Sequence, residues 1–290
     1  MQRRRSGFLT ACGIVAVAVL WVAASGAANA ARVGVLSNNY FNETAADFNA
    51  KVPGHTFTGV DVSATVPTLA TLTTNFDVLL LFEDSPFANA PAVGNVVAAF
   101  AGTGRPVVLG TFYDQDRSDA SIALSPHGWG ALETIDPNTT DGVGTPYAAR
   151  SLNAASIVTH PLTSGVTTLT ATQFAGGNQA KAGTIVMASW AQPNARGLAD
   201  PAIAYRISAG ACVIHIAIAP SYPTIDATHF GGDFYRAWRN AFDFGAGGCA
   251  AAAGPGAAVI PALSPVALML SVLLLAALGG FSRRLSRRRN

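Results

Sequence analysis

The sequence predicts an α/β protein whose single domain is built on a doubly wound, mostly parallel β-sheet. Continuous apolar runs of strand length occur at residues 77–82 and 106–112, which is typical of strands buried on both faces of a parallel sheet. Segments with helical spacing separate these runs, and repeated strand–helix–strand order places helices on both faces of such a sheet. About 220 residues lie between two apolar ends, enough for one domain with a sizeable core.

The amino-terminal half of this domain predicts four strands and three helices. The strands are expected at residues 32–36, 56–62, 77–82 and 106–112. The helices are expected at residues 42–51, 69–74 and 90–101, and the last of them ends at Gly102 and Gly104.

The carboxyl-terminal half begins with a long polar stretch beyond Asp114, rich in glycine and proline, which predicts an insertion or a functional loop system. Strands are expected again at residues 184–190, 202–207 and 211–219, and the last two form a hairpin through residues 208–210. An amphipathic helix at residues 232–244 closes the domain, with Phe234, Trp238 and Phe242 at helical spacing.

The first thirty residues have the three-part layout of a secretory signal. Arg3, Arg4 and Arg5 precede an apolar run at residues 8–22 and a small-residue exit that ends at Ala30. We therefore predict that signal peptidase removes residues 1–30 and leaves Ala31 as the mature start. A retained amino-terminal membrane helix is the alternative.

The last 32 residues, 259–290, form a second apolar segment. No charged residue occurs from Val259 to Phe281, a length that just spans a bilayer at 1.5 Å per helical residue. Five arginines follow, and such a cluster favours the cytoplasmic side of a membrane, so the domain is expected outside the cytoplasm. An Ala- and Gly-rich linker at residues 249–258 joins the domain, residues 31–248, to this segment.

This tail resembles the IPTL-CTERM sorting signal, which is of the bacterial PEP-CTERM type. The resemblance rests on a short motif, the apolar helix and the arginines, and the motif residues are Ile260, Pro261, Ala262, Leu263 and Ser264. It implies recognition by an exosortase-like sorting protease and delivery to the cell envelope, with the tail in the inner membrane beforehand. Ala262 departs from the threonine of the family name, which leaves the identity of the protease open. A plain carboxyl-terminal anchor is the alternative.

Charge and cysteine content narrow the functional classes. All 16 acidic residues but only 10 basic residues fall within residues 31–258, a net charge of −6 that argues against nucleic-acid binding.

The mature chain would keep Cys212 and Cys249. In an oxidising compartment these two form either a disulfide or two isolated thiols. No metal-ligand spacing occurs, and no cofactor is implied.

The order of elements resembles the class I glutamine amidotransferase-like fold, related in layout to flavodoxin, and especially its ThuA-like branch. The resemblance rests on the sequences RVGVL, DVLLLF, PVVLGTF, HPLTSGV and ACVIHIAIAPSY and on the final aromatic helix, and it covers residues 32–244. In that family an amidotransferase cysteine occupies the turn after the strand that matches residues 106–112. Here that turn contains Thr111 and Phe112, so the resemblance implies a scaffold without thioester chemistry.

Polar side chains follow the predicted parallel strands, where open α/β sheets bind ligands. Glu83 and Asp84 follow one strand, and Tyr113, Asp114 and Asp116 follow the next. Asp84 and Asp114 are candidates for acid/base catalysis, although acidic loop residues also cap helices and solvate surfaces.

Further candidate ligand-binding residues lie in loops and include Trp129, Asn178 and Tyr222. Aromatic faces beside amide and carboxylate groups are typical of carbohydrate binding, whereas burial in the core is the alternative for the aromatic residues.

Two functions are consistent with these observations. The first is an exported, envelope-sorted or membrane-anchored protein with a non-catalytic domain for ligand binding or an envelope matrix. The second is a secreted hydrolase that acts on glycans through loop carboxylates. The fold alone does not choose between them, and the missing cysteine favours the first.

Overall fold

The computed structural model describes residues 30–84, 87–111, 128–140 and 148–249. The first half alternates strands and helices as the sequence predicts: β1 (Arg32–Ser37), α1 (Phe41–Lys51), β2 (Thr56–Asp61), α2 (Leu69–Asn75), β3 (Val78–Leu81), α3 (Ala90–Gly102) and β4 (Val107–Gly110). These elements confirm the predicted strands and helices to within two residues at most boundaries. The strand at 106–112 is shorter than expected at its start, because Pro106 has no N–H to contribute.

The second half contains more strands than the sequence predicts. They are β5 (Asn138–Thr140), β6 (Arg150–Ser151), β7 (Leu169–Ala171), β8 (Asn178–Ala180), β9 (Ile185–Ser189), β10 (Pro201–Ser208), β11 (Ala211–Ile216) and β12 (Phe230–Gly232), followed by α4 (Phe234–Ala246). The hairpin of β10 and β11 and the final helix confirm the prediction. Strands β5 to β8 and β12 were missed, since two or three residues are too few to show an alternating pattern.

A seven-stranded mixed sheet with the order β2-β1-β3-β4-β11-β10-β9 organises the molecule. The first five strands in this order are parallel, and β10 and β9 are antiparallel to their neighbours. We call the edge where the parallel strands end the carboxyl edge, and the edge where they begin the amino edge. The structure confirms a large, mostly parallel sheet.

Helices cover both faces of this sheet. On one face, Phe48 of α1 packs against Trp238 and Phe242 of α4, with ring centroids 5.6 Å apart in both pairs. On the other face, Leu72 of α2 and Val97 and Phe100 of α3 are fully buried. The two apolar layers fix the strand ends relative to one another, which positions the candidate site described below.

Cys212 at the start of β11 forms a disulfide with Cys249, just beyond α4. Their Cα atoms are 6.4 Å apart, within the range that disulfides bridge. The bond ties the end of the domain to the amino edge of the sheet.

No helix in the described residues is both long and apolar enough to cross a membrane. Residues 1–29 of the predicted signal (1–30), residues 250–258 of the predicted linker (249–258) and the whole predicted sorting segment (259–290) lie outside the described residues.

Candidate functional site

The direction of the chain across the sheet reverses at β1. From β1 the chain passes to β2 on one side, and it then crosses over to β3 on the other side. The carboxyl ends of β1 and β3 therefore lead into helices on opposite faces, and we call the region between these two strand ends the crevice. Open α/β sheets bind their ligands at such a switch point.

The chain leaving β1 makes a tight, polar turn at this crevice. Tyr40 adopts a left-handed backbone conformation, with φ 52° and ψ 19°, immediately before α1. For a residue with a Cβ atom this conformation costs about 1 kcal/mol or more, and such positions are frequent at binding sites. The side-chain oxygen of Asn39 accepts the backbone N–H of Tyr40 at 3.0 Å and supports the turn.

Two asparagines connect this turn to the end of β3. The side-chain oxygen of Asn38 accepts the backbone N–H of Asp84 at 3.2 Å. The side-chain nitrogen of Asn39 donates to Oδ2 of Asp84 at 2.9 Å. A defined polar network thus bridges the two sides of the crevice, and Asn39 and Asp84, which it joins, are 45 positions apart in the sequence.

Three aromatic rings stack beside the network. Tyr40 stacks on Tyr222 with ring centroids 5.1 Å apart, and Tyr222 stacks on Phe82 with centroids 5.6 Å apart. Phe82 and Tyr222 are buried, whereas Tyr40 is half-buried at the outer end of the stack. The rings form an apolar wall that ends in a partly exposed tyrosine next to Asn39 and Asp84.

The two adjacent carboxylates differ in their surroundings. Glu83 is only 2% exposed, so it does not face solvent. Asp84 is half-buried, and one of its carboxylate oxygens is held by Asn39. Asp84 is therefore suited to accept a hydrogen bond from a ligand, and Glu83 belongs to the interior of this edge.

A second polar network lies beneath α1 and was not predicted from the sequence. The phenol of Tyr235 donates to Oδ1 of Asp47 at 3.2 Å, and Ser221 hydrogen-bonds to the same phenol. Burial raises the pKa of Asp47, and burial together with the Asp47 carboxylate raises the pKa of Tyr235 to about 12. The only feature of the sequence that points to this network is the position of Asp47, two helical turns after Tyr40 and on the inward face of α1.

Trp129 and Asn178 do not line the crevice surface. Trp129 is 2% exposed and packs edge-on against Phe87, with centroids 5.0 Å apart. Asn178 is fully buried, and its backbone N–H and that of Gly177 donate to Asp200 at 3.0 and 2.6 Å. Burial raises the pKa of Asp200, which the two N–H donors and Arg150 partly offset.

The other predicted site residues lie outside the described residues. They are Tyr113, Asp114 and Asp116 after β4, and the motif residues Ile260, Pro261, Ala262, Leu263 and Ser264. The predicted approach of Asp84 and Asp114 stays a prediction. Within the described ranges, no group of three or more histidine, cysteine or acidic side chains is arranged to hold a metal ion.

Solved structures share the arrangement of this sheet and its helices. The cytoplasmic protein STM3548 from Salmonella typhimurium is 12% identical, with a TM-score of 0.53 over 73% of this chain and 98% of that one. A protein described as ThuA-like from Bacteroides uniformis is also 12% identical, with a TM-score of 0.50 over 73% of this chain and 89% of that one. The fold is ThuA-like.

No protein-family model and no curated protein sequence matches the chain. At 12% identity the likeness concerns the ThuA-like fold and not its activity. Within that fold, Thr111 begins the turn after β4 where the amidotransferase resemblance places a cysteine. Thr111 is fully buried, and its backbone N–H donates to the carbonyl of Ile218 at 3.2 Å. Its side chain is therefore enclosed and is not presented as a nucleophile.

Proposed function

We propose that this protein is exported to the bacterial cell envelope and that its ThuA-like domain binds a polyhydroxylated ligand, such as a carbohydrate, without thiol catalysis. The observation that carries the proposal is the crevice at the switch point of the sheet. There the partly exposed Tyr40 ends an aromatic stack beside the Asn39–Asp84 pair.

This combination suits the chemistry of a sugar. A sugar ring presents C–H groups on its faces, which pack against an aromatic ring, and hydroxyl groups at its rim, which need hydrogen-bond partners. Tyr40 supplies the ring, and no other ring of the described residues stacks on it besides Tyr222. Asp84 supplies an acceptor that Asn39 holds in place.

The proposal of a non-catalytic role is supported by Thr111. A thioester mechanism needs an accessible thiolate at the strand-to-helix turn, and a buried threonine begins that turn here. The first of the two functional hypotheses is therefore the one we carry forward.

Export and sorting are supported by the two ends of the sequence. The basic and apolar start ends at Ala30, and the apolar segment from Val259 is followed by arginines. Signal peptidase and an exosortase-like protease are the processing partners proposed, with the inner membrane as the site of the tail before any cleavage.

Ligand binding is tested with the full chain in detergent on a glycan array, followed by calorimetry with any glycan retained. We expect Tyr40→Ala and Asn39→Ala each to weaken binding about tenfold, since loss of one stacking or charge-assisted contact costs roughly 1.4 kcal/mol. Ile207→Ala, which changes an exposed side chain at the opposite edge, serves as the matched control. Failure of the wild type to retain any glycan, or equal binding by all variants, contradicts the proposal.

Processing is tested by intact-mass measurement of the protein from envelope fractions. We expect an amino terminus at Ala31. A carboxyl terminus near Ile260 supports sorting, and one at Asn290 supports a plain anchor. A chain that starts at Met1 and is recovered from the cytosol contradicts export.

A further inference from the structure

Both ends of the described domain meet at the amino edge of the sheet. Ala30 and Ala31, which precede β1, line one cleft of about 300 Å³ together with Ala246 and Gly248, which follow α4. Pro106, just before β4, belongs to the same cleft. The domain therefore begins and ends on the side opposite the candidate ligand site.

Two large apolar side chains are exposed at this same edge. Ile207 is 53% exposed near the end of β10, and Ile185 is 43% exposed at the start of β9. Ile207 on β10 pairs with Cys212 on β11. Ile185 on β9 pairs with Tyr205, which lies two residues before Ile207 on β10. Side chains two residues apart on a strand point to the same side, so both isoleucines lie on the face that carries α4. We call Ile185 and Ile207 the amino-edge surface.

The chain leaves the domain beside this surface. Cys249 is held by its disulfide to Cys212, which lies directly across the ladder from Ile207. The predicted membrane segment begins at Val259, only nine linker residues later, and none of these is charged. Nine residues reach about 30 Å when fully extended, so the domain is expected within one domain diameter of the bilayer.

We infer that the amino-edge surface rests on the lipid bilayer that holds the carboxyl-terminal tail. The inference rests on the proposed function, concerns the form of the protein that still carries its uncleaved tail, and adds an orientation to that form. Contact with acyl chains at the membrane interface removes the side chains of Ile185 and Ile207 from water. In the free domain both side chains stay exposed to water. The chain leaves the domain at Cys249, beside Ile207, so this surface lies nearer to the membrane segment than the carboxyl edge does.

The orientation determines where the ligand site opens. Residues of β1 rise about 3.3 Å each, so its six residues separate the two edges by roughly 20 Å. Tyr40, Asn39 and Asp84 lie at the far edge. The anchored protein thus presents its crevice away from the membrane, toward soluble or wall-bound ligands.

Tryptophan quenching tests the contact. Ile207→Trp and Ile185→Trp place a fluorophore on the amino-edge surface. Leu198→Trp is the matched control, because Leu198 is a 47% exposed apolar residue in the connection between β9 and β10, at the carboxyl edge. The full-length variants are incorporated into phosphatidylethanolamine and phosphatidylglycerol vesicles with or without acyl chains brominated near the headgroup. Wild-type emission is subtracted to remove the native tryptophans.

We expect bromination to reduce the added emission of Ile207→Trp and Ile185→Trp at least twofold and to leave that of Leu198→Trp unchanged. Equal quenching at both edges, or none at either edge, overturns the inference. Vesicle flotation of the same samples separates the two proposals. A chain that floats but shows no quenching at the amino edge overturns the orientation alone, whereas a chain that does not float overturns the anchor and the orientation together.

Discussion

His215 shows how a single buried residue links the fold to pH. It lies inside β11, it is 1% exposed, and its Nδ1 atom accepts the side-chain amide of Asn138 at 3.0 Å. Burial, with a smaller effect of the Lys181 cation, lowers the pKa of His215 from 6.5 to about 3. The imidazole is therefore neutral in the folded protein across the physiological range.

We predict that His215 makes the protein less stable as the pH falls from 6.5 toward 3. Between these values the unfolded state binds one more proton at this site than the folded state, so the free energy of unfolding rises with pH by up to about 1.4 kcal/mol per unit. In urea unfolding from pH 7 down to pH 3, His215→Leu should be less stable than the wild type at pH 7, but its free energy of unfolding should depend less on pH below 6.5. An unchanged slope would refute the assignment.

The sequence predicted where some site residues lie relative to the strands, but it did not predict how buried their side chains are or which residues they contact. Glu83 and Asp84 were expected at the end of a buried strand, because an apolar run must stop where its side chains reach water. That Glu83 is enclosed while Asp84 pairs with Asn39 depends on the neighbouring strand. The stack of Tyr40 on Tyr222 joins residues 182 positions apart, and no local pattern encodes such a contact.

At the level of elements, α3 packs unusually closely on the segment that follows the loop after β4. A Cβ atom added to Gly94 would lie 1.8 Å from the backbone oxygen of Trp129. Gly102, at the end of the same helix, has nothing within 4 Å of such an atom. Gly94 therefore has no room for a side chain, whereas Gly102 of the same helix has open space beside it.

We predict that Gly94→Ala destabilises the protein by about 1–3 kcal/mol, since a backbone atom blocks the added methyl group and the segment must shift. Gly102→Ala should be neutral or stabilise by up to about 1 kcal/mol, because alanine favours the helix. Thermal or urea unfolding of both variants checks this. Similar losses in the two would show that helix propensity, not contact with Trp129, decides the effect.

The long strands and helices were predictable because their side chains repeat with a clear period. The run at 77–82 and the helix at 90–101 each bury a continuous face, and such faces are visible in the sequence. Strands β5 to β8 pair through two or three residues each. Their positions are set by backbone hydrogen bonds to distant partners, which side-chain patterns do not report.

For the whole molecule, the disulfide closes a loop of 37 residues that contains β11, β12 and α4. We predict that replacing both Cys212 and Cys249 by alanine lowers the free energy of unfolding by about 4 kcal/mol, from the chain entropy restored to the unfolded state. Urea unfolding of the double variant and of the oxidised wild type measures the difference. Equal stability would contradict the expected chain-entropy contribution of the bond.

The sequence by itself determined the α/β class and the order of the long elements, because apolar period and length are local properties of the chain. The passage through a membrane stays a prediction from apolar length and flanking charge. The tertiary structure decided which strand ends meet. The order β2-β1-β3-β4 brings Asn39, Asp84 and Tyr222 together at one edge, and it gathers both ends of the domain at the other. Strand order depends on how two helical layers bury the sheet, and this is a property of the packed molecule rather than of any segment.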